Sequence, residues 1–123
     1  MNDVSIPLEK MNQFINETDQ KLKKNLSVEI INFGHIGDNN LHYNVSVLKN
    51  TEPNEKKEML KKVNDIVYSN TTKFGGSISA EHGIGQLRKD DLKKYKSKFE
   101  LEQMKSIKKI FDPFDIFNPG KIF

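Results

Sequence analysis

The chain holds three histidines in 123 residues, and two of them, His35 and His42, fall in one stretch, FGHIGDNNLHYNV (33–45). The third, His82, follows Glu81 in SAEHGIG (79–85). Two imidazoles and a carboxylate make a sound divalent-cation site, since imidazole nitrogen suits zinc and other first-row metals and the carboxylate offsets part of the charge. The bare set is His35, His42 and Glu81. An H-x6-H spacing is not specific by itself, and an isolated histidine is more often a hydrogen-bonded or surface residue than a ligand. Glu81 alone reads as a solvated loop acid and His82 as a loop-capping residue. A cation site therefore requires the chain to fold EH back against the first stretch.

Composition narrows the alternatives. There is no cysteine, so disulfides, thiolate metal sites and thiol nucleophiles are excluded together. The net charge of +3 comes from 20 basic against 17 acidic residues, with Arg88 the only arginine. Lys and Glu alternate along NEKKEMLKK (54–62) as on a solvated helix face, which argues against a nucleic-acid partner. No apolar run approaches the roughly 20 residues of a membrane helix, and the Met1 end lacks a signal-peptide layout, so a cytoplasmic protein without a transmembrane segment is expected. Hydrophobic residues at 35% suffice for a core, and the length suits a single domain over 1–123.

The elements that must position the histidines can be read from periodicity. VSIPL (4–8) reads as a short strand, followed by a helical stripe of Leu8, Met11, Ile15, Thr18 and Leu22. SVEIINF (27–33) is rich in β-branched and aromatic residues and reads as a mostly buried strand. LHYNVSV (41–47) alternates, so Leu41, Tyr43, Val45 and Val47 should face a core while His42, Asn44 and Ser46 face the other way. The intervening GHIGDNN suits a turn, which makes the pair an antiparallel hairpin with His35 and His42 at one end.

A second helix over NEKKEMLKKVNDIVYSNTTKF should bury Met59, Val63, Ile66 and Val67, be capped by Thr51 or Asn54, and end at Gly75-Gly76. SISA (77–80) is placed where a further strand could lead into the EH loop. Ser97 and Glu100 form a capping box for a last helix with Leu101, Met104, Ile107 and Phe111 as its buried stripe, stopped at Asp112-Pro113. The order β-α-β-β-α-(β)-α predicts an α+β fold, a ferredoxin-like sandwich with helices on one face of a small antiparallel sheet. Every glycine falls near a candidate site or in the terminal NPGK motif.

Taken together, GHIGDNNLHYNV, GGSISAEHGIG and IFDPFDIFNPGKIF occur in an order that closely resembles the C-terminal domain of the FAD-linked oxidases. That family contains D-lactate dehydrogenases, the glycolate oxidase flavoprotein subunit and D-2-hydroxyglutarate dehydrogenase, with flavin domains like that of vanillyl-alcohol oxidase. VSIPL resembles the family's start of this domain, so the likeness covers nearly the whole chain. The family pattern is G-H-x-G-D-G-N-x-H, and Asn39 stands here where its second loop glycine is expected. Asn tolerates left-handed backbone better than most residues.

The resemblance implies a divalent metal, zinc or manganese, on His35, His42 and Glu81. It implies His82 as the base that takes a substrate hydroxyl proton, Asn44 as a substrate contact and Asn118 as a contact to the flavin. It further implies FAD as cofactor, a small 2-hydroxyacid substrate (D-lactate, glycolate or D-2-hydroxyglutarate in type), and a flavin-binding domain or subunit as partner. Because 123 residues already account for one domain, an N-terminal FAD-binding domain is expected to lie outside them. The chain would then be part of a D-2-hydroxyacid dehydrogenase, inactive without flavin. A catalytically silent binding or remnant domain of the same fold, and a stand-alone metal-dependent hydrolase, remain as alternatives.

Overall fold

Strict alternation from Leu41 to Val47 calls for a sheet with one covered face, and the computed structural model of the protein, which describes residues 1–47 and 51–123, has one. The described residues form two compact units, Met1–His82 and Gly83–Phe123.

In the first unit, β1 (Asn2–Ser5), β2 (Val28–His35) and β3 (Asn40–Val47) make an antiparallel sheet in the order β1-β3-β2. Leu41, Tyr43 and Val47 turn inward and are buried, as the alternation requires. They meet α1 (Met11–Asn25) and α2 (Pro53–Lys73) through Phe14, Leu22, Val63, Val67 and Tyr68. Phe14 is the hub, edge-on to both Tyr43 and Phe74 with ring centroids 5.9 Å apart in each case. Burial and the neighbouring Asp19 carboxylate push the Tyr43 phenol far up, so its hydroxyl stays protonated and donates to Asp19. The architecture is the expected small antiparallel sheet with helices, an α+β fold.

Several local readings change. On α1 it is Phe14, not Ile15, that is fully buried between Met11 and Thr18, while Leu8 sits in a 3-10 turn (Leu8–Lys10) and is half exposed. The strand β2 is not mostly buried: it lies at the sheet edge with one face uncovered, leaving Ile31 and Phe33 64% and 57% exposed. Neither Thr51 nor Asn54 caps α2. Glu52 is its N-cap and Pro53 occupies the first turn, where a missing N–H costs nothing. Its end is as expected. Gly75 adopts a left-handed φ of 77° while Gly76 N–H donates to Thr71 O and Gly75 N–H to Thr72 O, the paired bonds of a Schellman cap.

SISA does not form a full strand. Ser77 makes a single antiparallel bridge to Ser5, with two backbone hydrogen bonds of 3.0 Å, on the outer side of β1. That is the position of a fourth strand in a split β-α-β arrangement. The bridge fixes where the chain starts toward Glu81.

The second unit contains α3 (Lys89–Tyr95), a helix the periodicity reading did not name, and α4 (Lys98–Phe111). The capping box at Ser97 and Glu100 is complete in both directions. The expected stripe is only partly covered: Leu101 and Met104 are half-buried, whereas Ile107 and Phe111 are 56% and 79% exposed. An amphipathic stripe states a need for cover, and the seven-residue α3 is too short to meet it within the unit. Asp112 ends α4 as anticipated and ties down the tail. Its carboxylate accepts from Ile116 N–H at 2.9 Å and Phe117 N–H at 3.0 Å, and the Lys108 ammonium beside it holds it below the ordinary carboxylate value. Ser97→Ala should cost α4 about 1 kcal/mol. Helical circular dichroism during a thermal scan would show it, and an unchanged helix signal would mean the cap contributes nothing.

Candidate functional site

His42 lies near the start of β3, the middle strand of the sheet, opposite Phe33 of β2 and Asp3 of β1. All three side chains therefore stand on the sheet face away from the helices. Two residues along, Asn44 shares that face opposite Ile31. The β2–β3 connection is a short 3-10 turn (Ile36–Asp38) closed by Asn39 in the left-handed conformation, φ 56° and ψ 18°. Asn39 thus takes the geometry for which the family motif uses glycine. The turn brings the His35 and His42 rings to a centroid distance of 5.7 Å, nearly perpendicular.

The EH loop does fold back on this hairpin. Glu81 Oε1 is 3.0 Å from His42 Nε2, 3.7 Å from His82 Nε2 and 3.9 Å from His35 Nε2. The His82 and His42 rings stack at 5.4 Å, tilted 25°. The His42 side chain is only 7% exposed, whereas those of His35, Glu81 and His82 are 58%, 46% and 44% exposed. The site has a buried floor, His42, and three groups at its mouth. His35, His42, Glu81 and His82 are thus gathered at one place in the first unit. Asn118 belongs to the second unit, where it has a left-handed φ of 47° and its carbonyl accepts from Lys121 N–H at 3.3 Å.

Sequence reasoning missed one member, Asp3. Its side chain is 1% exposed, and Oδ2 accepts three successive backbone N–H groups, from Ala80 at 3.1 Å, Glu81 at 2.9 Å and His82 at 2.8 Å. Burial pushes this carboxyl up, but the N–H groups and the charge of His82 outweigh it and hold Asp3 below its ordinary 3.8. The other oxygen, Oδ1, faces His42 Nδ1 at 3.8 Å. Asp3, His42, Glu81 and His82 each present a ligand-type atom within 4.8 Å of the others, with His35 at the rim near Glu81. The available signal was an acid in a short strand whose period places it beside His42.

This donor set fits a divalent cation. Imidazole nitrogens and carboxylate oxygens crowd together here, and His42 Nδ1 and Asp3 Oδ1 are buried with no hydrogen-bond partner among the described residues. The ligand types suit a first-row divalent ion held by nitrogen and oxygen.

Residues 1–122 match the family described as FAD linked oxidases, C-terminal domain. The chain belongs to this family. It is 42% identical over 123 residues to a D-2-hydroxyglutarate dehydrogenase of Stutzerimonas stutzeri, covering 99% of this chain and 26% of that protein. It is 39% identical over 121 residues to a D-lactate dehydrogenase of Anaerostipes hadrus, covering 98% of this chain and 25% of that protein. A mitochondrial D-2-hydroxyglutarate dehydrogenase of Arabidopsis thaliana is 38% identical over 120 residues, covering 98% and 20%. The chain therefore spans a fifth to a quarter of the length of these relatives. No helix among the described residues is long and apolar enough to cross a membrane.

Proposed function

We propose that this chain is the metal- and substrate-binding part of an FAD-dependent D-2-hydroxyacid dehydrogenase and works only together with a flavin-binding domain or subunit. The observation that carries the reading is the convergence of three imidazoles on one carboxylate oxygen, Glu81 Oε1, in a chain of this family. Relatives named as D-2-hydroxyglutarate and D-lactate dehydrogenases point to the substrate class.

In this reading His35, His42 and Glu81 hold a divalent cation, whose charge would lower the pKa of a hydroxyl bound to it. FAD, carried by its own domain, supplies the hydride acceptor. His82 is the base for the substrate hydroxyl proton. Its ring is partly open to solvent and is held in place by stacking on His42, while its backbone is pinned to Asp3. Asn44, half-buried on the same sheet face, orients the substrate. Asn118 gives the flavin one polar contact from the tail. One amide cannot hold a dinucleotide, so the flavin requires a further domain.

The sheet face around the site supports such a partner. Ile31 and Phe33 on that face and Ile36 in the adjoining turn are 64%, 57% and 73% exposed, an apolar border that a flavin domain would cover. The test is reconstitution: add a flavin-binding domain from a full-length relative, load zinc or manganese, and follow bleaching of the flavin band with D-2-hydroxyglutarate, D-lactate and glycolate. Bleaching that requires both this chain and the metal is expected. Metal binding without flavin reduction would instead favour a catalytically silent domain.

A further inference from the structure

We propose that Asp3 is the positioning residue of the site: one buried carboxylate holds the EH loop with Oδ2 and sets the tautomer of His42 with Oδ1. The inference rests on the metal reading above but adds a residue and a job. Asp3 is separated by 77 to 79 residues from the N–H groups it binds, so it joins the first strand directly to the loop that carries Glu81 and His82. No other described contact fixes three consecutive loop amides to the sheet.

The second half of the job follows from two orphans. His42 Nδ1 and Asp3 Oδ1 are both buried, both without a hydrogen-bond partner among the described residues, and 3.8 Å apart. That is too long for a hydrogen bond, but a small rotation of the ring closes it, and only a proton on Nδ1 satisfies both atoms. With a cation held by Nε2 and Glu81, which stand 3.0 Å apart, the Nε2 lone pair faces the metal and the one proton of the neutral ring falls to Nδ1, toward Asp3; without the cation that contact calls for a proton on Nε2. A carboxylate behind a ligating histidine fixes ring and tautomer in this way, and losing it typically costs 10–100-fold in metal affinity.

Asp3→Asn separates this role from simple packing. The carboxamide oxygen can still accept from the loop amides, but its NH₂ then faces His42 Nδ1 and favours the Nε2–H tautomer. Long-range ¹H–¹⁵N correlation spectra of the zinc-loaded chain, taken well above the usual imidazole pKa of about 6.5, report which ring nitrogen carries the proton. The wild type should show His42 protonated on Nδ1, with zinc on Nε2. Asp3→Asn should bind zinc roughly 10–100-fold more weakly in a competition titration. Zinc on Nδ1 of His42 in the wild type would overturn the inference even if Asp3→Asn fails to fold, and so would a folded variant with unchanged affinity. If the wild type bound no zinc, the metal reading would fail, while amide hydrogen exchange would still decide whether Asp3 holds the loop: faster exchange at Ala80, Glu81 and His82 in Asp3→Ala would support it and unchanged protection would overturn it.

Discussion

His82→Ala should lower D-2-hydroxyacid turnover by about 10²–10⁴-fold in the chain reconstituted with a flavin domain, the usual contribution of a positioned general base. The fold should tolerate the change. The His82 side chain is partly exposed, and the bond that anchors its loop uses the backbone N–H, 2.8 Å from Asp3 Oδ2, which alanine retains. What is lost is the Nε2 lone pair at the mouth of the site. In the proposed reading His82 takes the proton that leaves as the substrate is oxidised, so the loss should fall on kcat with KM little changed. Steady-state kinetics of flavin reduction, with circular dichroism to confirm folding, are the measurement. Full turnover in a folded, metal-loaded variant would mean that the proton leaves by another route, and the assignment of His82 would be withdrawn.

How much of this was legible in the sequence depends on the range of the interaction. The two faces of β3 follow from period-2 alternation, so the opposition of Tyr43 in the core and His42 outside it could be read in advance. Asn39 in a left-handed turn and the Ser97–Glu100 box are likewise local events, written in three or four adjacent residues. The exposed face of β2 could not be read that way. Ile31 and Phe33 have the side chains of a buried strand, and only the three-stranded sheet with one covered face leaves them open. The stripe of α4 fails for the same reason, since periodicity reports which residues want cover and not whether cover arrives.

Asp3 was the hardest to see. It stands at the start of the chain in a four-residue strand and acts only through groups at Ala80, Glu81 and His82. Motif reasoning could state that EH should meet the hairpin, but not what holds it there. The answer is a carboxylate and one bridge, Ser5 to Ser77, both on β1. The four-residue β1 is therefore the element that joins the two halves of the site.

Gly34→Ala should destabilise the first unit and disable the site in one step. Gly34 pairs with Leu41 across the β2–β3 ladder, between the Phe33–His42 and His35–Asn40 pairs. A Cβ there would lie 2.2 Å from Asn40 O and 3.0 Å from both Asn40 C and Leu41 Cα. All three are backbone atoms of the neighbouring strand, so no rotamer change can make room and the strands must part. Overpacking of this kind typically costs about 1–3 kcal/mol, and rigid sheet backbone puts this position at the upper end. Parting the strands also moves His35 away from His42, so metal affinity should fall along with stability. Gly37, three residues on in the turn that follows β2, has nothing within 4 Å of its would-be Cβ and no left-handed φ. Gly37→Ala should therefore leave metal binding intact and be neutral or slightly stabilising, since alanine restricts the unfolded chain. Urea denaturation and zinc titration of the two variants make the comparison. Equal behaviour of Gly34→Ala and Gly37→Ala would show that the hairpin absorbs the extra carbon without moving its histidines, and that the close strand contact at Gly34 does not set the site.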